Sequence, residues 1–148
     1  MGVIYTLPVH FSELYANGWK PCDSEIRFAT YILEPNDFIT WELIRDNKKL
    51  GVTFTNRTGE ARPIYKSYVT MFAALYSVYN AQVILPGNIT VGSSYDEVIS
   101  AYGEPCSWYA SDDTTSLLFF YHTDYISIQV SINKETNQVF MTSIHYFM

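Results

Sequence analysis

The segment that most constrains this chain is Tyr125-Ile126-Ser127-Ile128-Gln129-Val130-Ser131-Ile132, which alternates polar and aliphatic residues without a break. Successive side chains of a strand leave opposite faces, so a period of two describes a half-buried strand. Wound into a helix, the same four aliphatic residues would scatter around the circumference. The segment therefore predicts a strand with Ile126, Ile128, Val130 and Ile132 on a core and Tyr125, Ser127 and Gln129 on the other face. Asn133-Lys134-Glu135-Thr136-Asn137 supplies turn chemistry, and Val139 to Phe147 is expected to return as its partner. Leu117 to His122 is apolar on both faces, which predicts a central position in the sheet.

Further strands are expected upstream. Phe38 to Arg45 and Leu50 to Asn56 read as a hairpin across Asp46-Asn47-Lys48-Lys49. The polar loop Asn56 to Glu60 precedes another expected strand from Ile64 to about Phe72. This pattern places Thr40, Glu42, Thr53 and Thr55 on an outward face, joined by Lys66 and Tyr68.

Helix signals are two and short. Ser94-Tyr95-Asp96-Glu97 fits a capping box, in which the serine hydroxyl and the glutamate carboxylate satisfy free amides of the first turn. Tyr95, Val98, Ile99 and Tyr102 then form one apolar stripe, and Gly103 with Pro105 stops the helix. Phe11, Leu14 and Tyr15 repeat the spacing, with Gly18 and Pro21 as the stop. Few helices preceding runs of strands make an α+β arrangement.

The two helices align at an offset of 84, which pairs Phe11 with Tyr95, Glu13 with Glu97, Leu14 with Val98, Pro21 with Pro105 and Cys22 with Cys106. Self-similarity of this kind predicts a tandem pseudo-repeat, residues 5–80 and 81–148, within one compact domain spanning 1–148.

Within the second copy, Gly92, Val98, Gly103 and Pro105 resemble the helix segment of SmpA/OmlA-type lipoprotein domains and the related beta-lactamase-inhibitory-protein-like fold. The layout from Leu7-Pro8 to the final hairpin is also similar to uncharacterised secreted or lipid-anchored proteins of Gram-positive gut bacteria. The first copy departs from the motif, with Pro8 and Trp19 where the glycines fall. The resemblance implies short helices on a curved antiparallel sheet, export to the cell envelope, and binding rather than catalysis.

Composition removes several function classes. Lys+Arg 9 against Asp+Glu 15 gives a net charge of -6, and no basic run occurs. Nucleic-acid affinity comes mainly from cations neutralising phosphates, so no nucleic-acid partner is expected. No apolar stretch approaches the roughly 20 residues that cross a bilayer, so no transmembrane segment is expected. Met1-Gly2 is read either as replacing a removed signal or tether, giving an extracytoplasmic protein, or as a cytoplasmic start.

Cys22 and Cys106 occupy matching repeat positions, which makes them candidates for a disulfide in an oxidising compartment, or two reduced thiols in the alternative reading. Neither has the setting of a nucleophile, and His10, His122 and His145 are scattered. His122 and Asp124 share a strand face without the three or four ligands that zinc needs, and no phosphate loop or acidic calcium loop is present. No metal, cofactor or catalytic set is expected. Asn56-Arg57-Thr58 and Asn88-Ile89-Thr90 fit the glycosylation sequon, which in a secreted eukaryotic protein marks surface loops.

Aromatic residues make up 17% of the chain and charged ones only 16%. Tyrosine combines contact area with a polar tip and concentrates at binding surfaces. The leading expectation is a non-enzymatic envelope module that binds a protein or envelope component through Tyr68, Lys66, Thr40, Glu42, Thr53, Tyr125, Ser127 and Gln129. An acidic cytoplasmic partner of immunity or inhibitor type is the alternative. A small-ligand carrier or enzyme with an aromatic pocket is the third.

Overall fold

Short polar turns decide where the strands begin and end in a computed structural model that describes residues 3–76, 78–110 and 112–147. Met1-Gly2, on which the reading of the chain start rests, lies outside the described residues. The chain divides into two compact units that meet in sequence between Phe72 and Ala73, eight residues before the boundary expected from the repeat.

The first unit runs through β1 (Val9–His10), α1 (Phe11–Ala16), β2 (Lys20–Pro21), α2 (Glu25–Thr30), β3 (Ile32–Leu33), β4 (Phe38–Arg45), β5 (Lys48–Thr55) and β6 (Arg62–Pro63). It ends within β7 (Tyr68–Leu75), whose last three residues belong to the second unit. Asp46 and Asn47 take φ of 50° and 60°. Two consecutive left-handed residues make the tight turn whose twist matches an antiparallel pair, so the predicted hairpin forms with a two-residue link. The sheet order is β2-β4-β5-β7, with β1 antiparallel to β7 and a separate β3-β6 ladder.

An interlocked aromatic cluster sits in this unit's core among Leu14, Leu33, Leu43, Val52, Ile64 and Val69. Phe11 of α1 lies 4.8 Å from Phe28 of α2 and 5.5 Å from Phe54 of β5, and Phe28 meets Trp41 of β4 edge-on at 5.4 Å. The helix α2 carries no glutamate or glutamine at the third position after its cap and escaped the sequence reading. It starts where the Ser24 hydroxyl accepts from the Arg27 amide, and it is held by the buried Phe28. The strand expected from Ile64 begins later, because Ile64–Lys66 is one turn of 3-10 helix and β7 starts at Tyr68.

In the second unit, α3 (Tyr95–Tyr102) precedes β8 (Ser107–Ala110), β9 (Thr115–Thr123), β10 (Ile126–Asn133) and β11 (Gln138–Tyr146). The sheet order is β8-β9-β10-β11, so the apolar β9 is an interior strand beside the edge rather than a central one. The capping box forms: Ser94 Oγ accepts from the Glu97 amide and the Glu97 carboxylate accepts from the Ser94 amide at 2.7 Å. All four stripe residues, Tyr95, Val98, Ile99 and Tyr102, pack on a core of Leu118, Phe120, Ile128, Val130, Ile132 and Val139. Gly103, at φ 76°, closes the helix by donating to the Ile99 carbonyl.

The two units share an internal order. In each, a helix is followed by a short strand, a hairpin and a returning strand, with α2, β3 and β6 added in the first unit, and the helix caps His10 and Ser94 stand 84 residues apart. A cysteine amide beside each short strand, after β2 and before β8, donates to the first long strand: Cys22 to Glu42 at 2.9 Å, Cys106 to Phe119 at 2.8 Å.

Candidate functional site

Antiparallel register fixes which side chains of the second sheet share a face, because directly opposed residues project together. One face carries Ile128 beside Ile144 and Phe120, and Val130 beside Thr142 and Leu118, all turned to α3. The opposite face carries three rows. Ser143, Gln129, Phe119 and Ser107 form one; Met141, Ser131, Leu117 and Tyr109 the next; His145, Ser127 and Tyr121 the third.

The rims of this second face are aromatic and open. Tyr121 is 73% exposed and Tyr109 59%, with Tyr109 edge-on to the half-buried Phe119 at 5.7 Å. His145 stacks on Phe147 with planes 9° apart. Ser143 Oγ lies 3.0 Å from His145 Nε2 and donates to Gln129 Oε1 at 3.5 Å, an arrangement satisfied when the imidazole proton is on Nε2. Burial lowers the His145 pKa, so the ring stays neutral where a free imidazole begins to charge. The result is a polar centre of Gln129, Ser143 and His145 bordered by rings.

The expected contact residues divide between the units. In the first, Thr40 faces Thr53 across the hairpin with their hydroxyls 3.2 Å apart, and Glu42 on the same face pairs with Lys49 at 3.4 Å. Strand alternation puts Tyr68 on the side of Thr70, whose hydroxyl meets that of Thr55 at 2.6 Å, so Thr40, Glu42, Thr53 and Tyr68 do share a face. Lys66 stands apart from them: it belongs to the 3-10 turn, with its ammonium over the Tyr65 ring.

In the second unit, Gln129 occupies the expected face. Ser127 is on it too, but only 8% exposed, because its short side chain sits between His145 and Tyr121. Tyr125 departs from the expectation: the chain is already turning there, and its ring stacks on Tyr146, whose register places it on the side of Ile144. Sequence reading missed Tyr109, Tyr121 and His145, since β8 carries no alternating pattern and β9 is apolar on both faces. The only available signal was the offset of Tyr121 by one residue from the core-facing Phe120.

Cys22, half-buried, and Cys106, exposed, are both free thiols. Cys22 and Glu42, in that order, raise the pKa of Lys49 beside them. Among the described residues no group of three or more His, Cys, Asp or Glu side chains is placed to hold a metal ion, and no helix is long and apolar enough to cross a membrane. A depression of about 490 Å³ beside the first hairpin is open to solvent and lined by Asn17, Gly18, Lys20 and Ile44 to Asn47, without the tyrosines or histidines of an aromatic pocket. The sequon Asn56 is a buried structural residue: its Nδ2 donates to the carbonyls of Leu33, Glu34 and Glu60, and its Oδ1 accepts from Thr58. Its amide is already committed within the fold, whereas Asn88 is exposed.

No protein-family model, curated protein or solved structure matches the chain.

Proposed function

We propose that this chain is a non-catalytic binding module, exported or attached to the cell envelope, that takes a protein or envelope component on the open face of its second sheet. The observation that carries the reading is that Tyr109, Phe119, Tyr121 and Phe147 share with Gln129, Ser143 and His145 the face turned away from α3. Rigid aromatics with few rotatable bonds lose little entropy on contact, and the Gln129 amide and His145 imidazole, oriented by the buried Ser143 hydroxyl, add polar groups beside them. The envelope location, and the reading of both units as a tandem beta-lactamase-inhibitory-protein-like duplication, are supported by the Gly92 to Pro105 motif. The shared helix-cap spacing and strand order add to the duplication reading.

The test is photocrosslinking in cells from a benzophenone side chain placed at Tyr121. A crosslinked partner that disappears when Tyr109→Ser is added supports the face. A crosslink indifferent to Tyr109→Ser, or equal from a control at Ile26 in α2, moves the site elsewhere.

The second reading, an acidic immunity or inhibitor-type partner, is favoured by the net charge of -6, which accelerates encounter with a basic protein. Cell fractionation separates the two, since recovery in the cytoplasm supports the second and opposes the first.

A further inference from the structure

The second sheet ends in an unguarded strand. β8 is outermost in its sheet, pairs only with β9, and has all four residues exposed. Its sequence, Ser107-Trp108-Tyr109-Ala110, contains no charge and no proline, and its pairing with β9 runs without a bulge. Edge strands present unpaired backbone donors and acceptors, and proteins normally blunt them with lysine, proline, bulges or brevity. The outermost strand of the first sheet does so: β2 is two residues long and consists of Lys20 and Pro21.

We propose that the β8 edge is a peptide-docking site, which accepts an extended segment of a partner protein as an added strand, with basic residues at both ends of that segment. Backbone hydrogen bonds along an edge supply affinity for any extended chain, while alternate side chains read the pockets above and below. Here those readers are Trp108, in register with Leu118 on the α3 side and 64% exposed, and Tyr109 on the opposite face.

Charge selects the occupant. Glu104 precedes the strand, and Asp112 and Asp113 follow it, all exposed. Lys134 is the nearby cation, and its ammonium is bonded to the Asp112 carbonyl at 3.0 Å. The Asp112 carboxylate accepts from the Thr114 hydroxyl and amide, which holds its pKa below the usual range. A second copy of this chain is disfavoured by the same acids. Two-fold antiparallel pairing centred on Trp108 brings Glu104 of each chain towards Asp112 of the other, and opposed like charges destabilise cross-strand pairs.

The edge adjoins the sheet face proposed above and shares Tyr109 with it, and the loss of binding on N-methylation tests the backbone edge separately from that face. The experiment is an NMR titration of the full chain with a blocked Lys-Thr-Val-Thr-Val-Lys peptide, with the same peptide bearing glutamate at both ends, and with the lysine peptide N-methylated at every internal amide. The expected result is saturable shift changes centred on Ser107 to Ala110. Binding should weaken about tenfold or more with the glutamate ends and be lost on N-methylation. Glu104→Lys combined with Asp113→Lys, both exposed positions, should invert the preference between the two charged peptides. Shifts centred elsewhere, unaltered binding of the N-methylated peptide, or no binding would overturn the proposal. A sedimentation mass of two chains with slow amide exchange in β8 would also overturn it, by assigning the edge to a second copy.

Discussion

The two units differ in how many aromatic rings they bury, although the first also exposes Tyr15, Phe38, Tyr65 and Tyr68. In the first, Phe11, Phe28, Trp41 and Phe54 interlock as a buried cluster. The second builds its core from Leu, Ile and Val with the single buried ring of Phe120, and leaves Trp108, Tyr109, Tyr121, Tyr125 and Phe147 in solvent. Buried rings contribute stability through area and edge-to-face packing, whereas exposed ones leave apolar surface in water unless a partner covers it. The same residue type therefore supplies much of the core in one unit and mostly exposed surface in the other.

Truncation should separate these roles most sharply. Phe54→Ala removes a fully buried ring and should cost about 4 kcal/mol in urea denaturation followed by the fluorescence of Trp41. Tyr121→Ala, by contrast, should change stability by less than about 0.5 kcal/mol. Equal costs would break the comparison.

The first unit also has a polar support with no counterpart among the described residues of the second. Asn56→Ala strands the carbonyls of Leu33, Glu34 and Glu60 around a buried site, with an expected loss of about 2–3 kcal/mol in the same assay. Helix starts differ by less. Ser94→Ala should cost about 1 kcal/mol of stability, and His10→Ala about 0.5 kcal/mol, because both caps accept an amide at 3.3 Å but only Ser94 is backed by a capping box.

The pH dependence belongs to the second unit. Burial pushes the Tyr102 phenol, which donates to the Pro86 carbonyl, up to about 12. The unfolded chain loses that proton first, so stability should fall as pH rises from about 10 towards 12, and Tyr102→Phe should flatten the slope. His145 works at the other end. Its pKa lies below the ordinary 6.5, so the unfolded chain gains the proton first and stability should decline as pH falls below that value. An imidazole NMR titration of His145, paired with His145→Gln in thermal melts, checks the sign.

Much of the fold was legible because it is written locally. The alternation from Ile126 to Ile132, the Asp46-Asn47 turn and the Ser94 to Glu97 box each need only neighbouring residues to express their preference. The helix α2 and the strand β8 were not legible: α2 relies on Phe28 reaching a tertiary cluster, and β8 has no period of its own and is held through β9. The candidate site was less legible still. Thr40, Glu42, Thr53, Gln129 and Tyr68 were placed on sheet faces by alternation alone, while Tyr125 was misplaced because alternation stops where the chain turns.

By itself, then, the sequence determined the class of the elements: strands of period two, two capped helices and a paired spacing of 84 residues. Tertiary structure decided which aromatics are buried, since Phe119 and Phe120 are adjacent and chemically alike, yet only Phe120 faces α3. It also decided that Asn56 is buried and that β8 lies outermost. Periodicity fixes which side chains point together, but only packing fixes which side is covered.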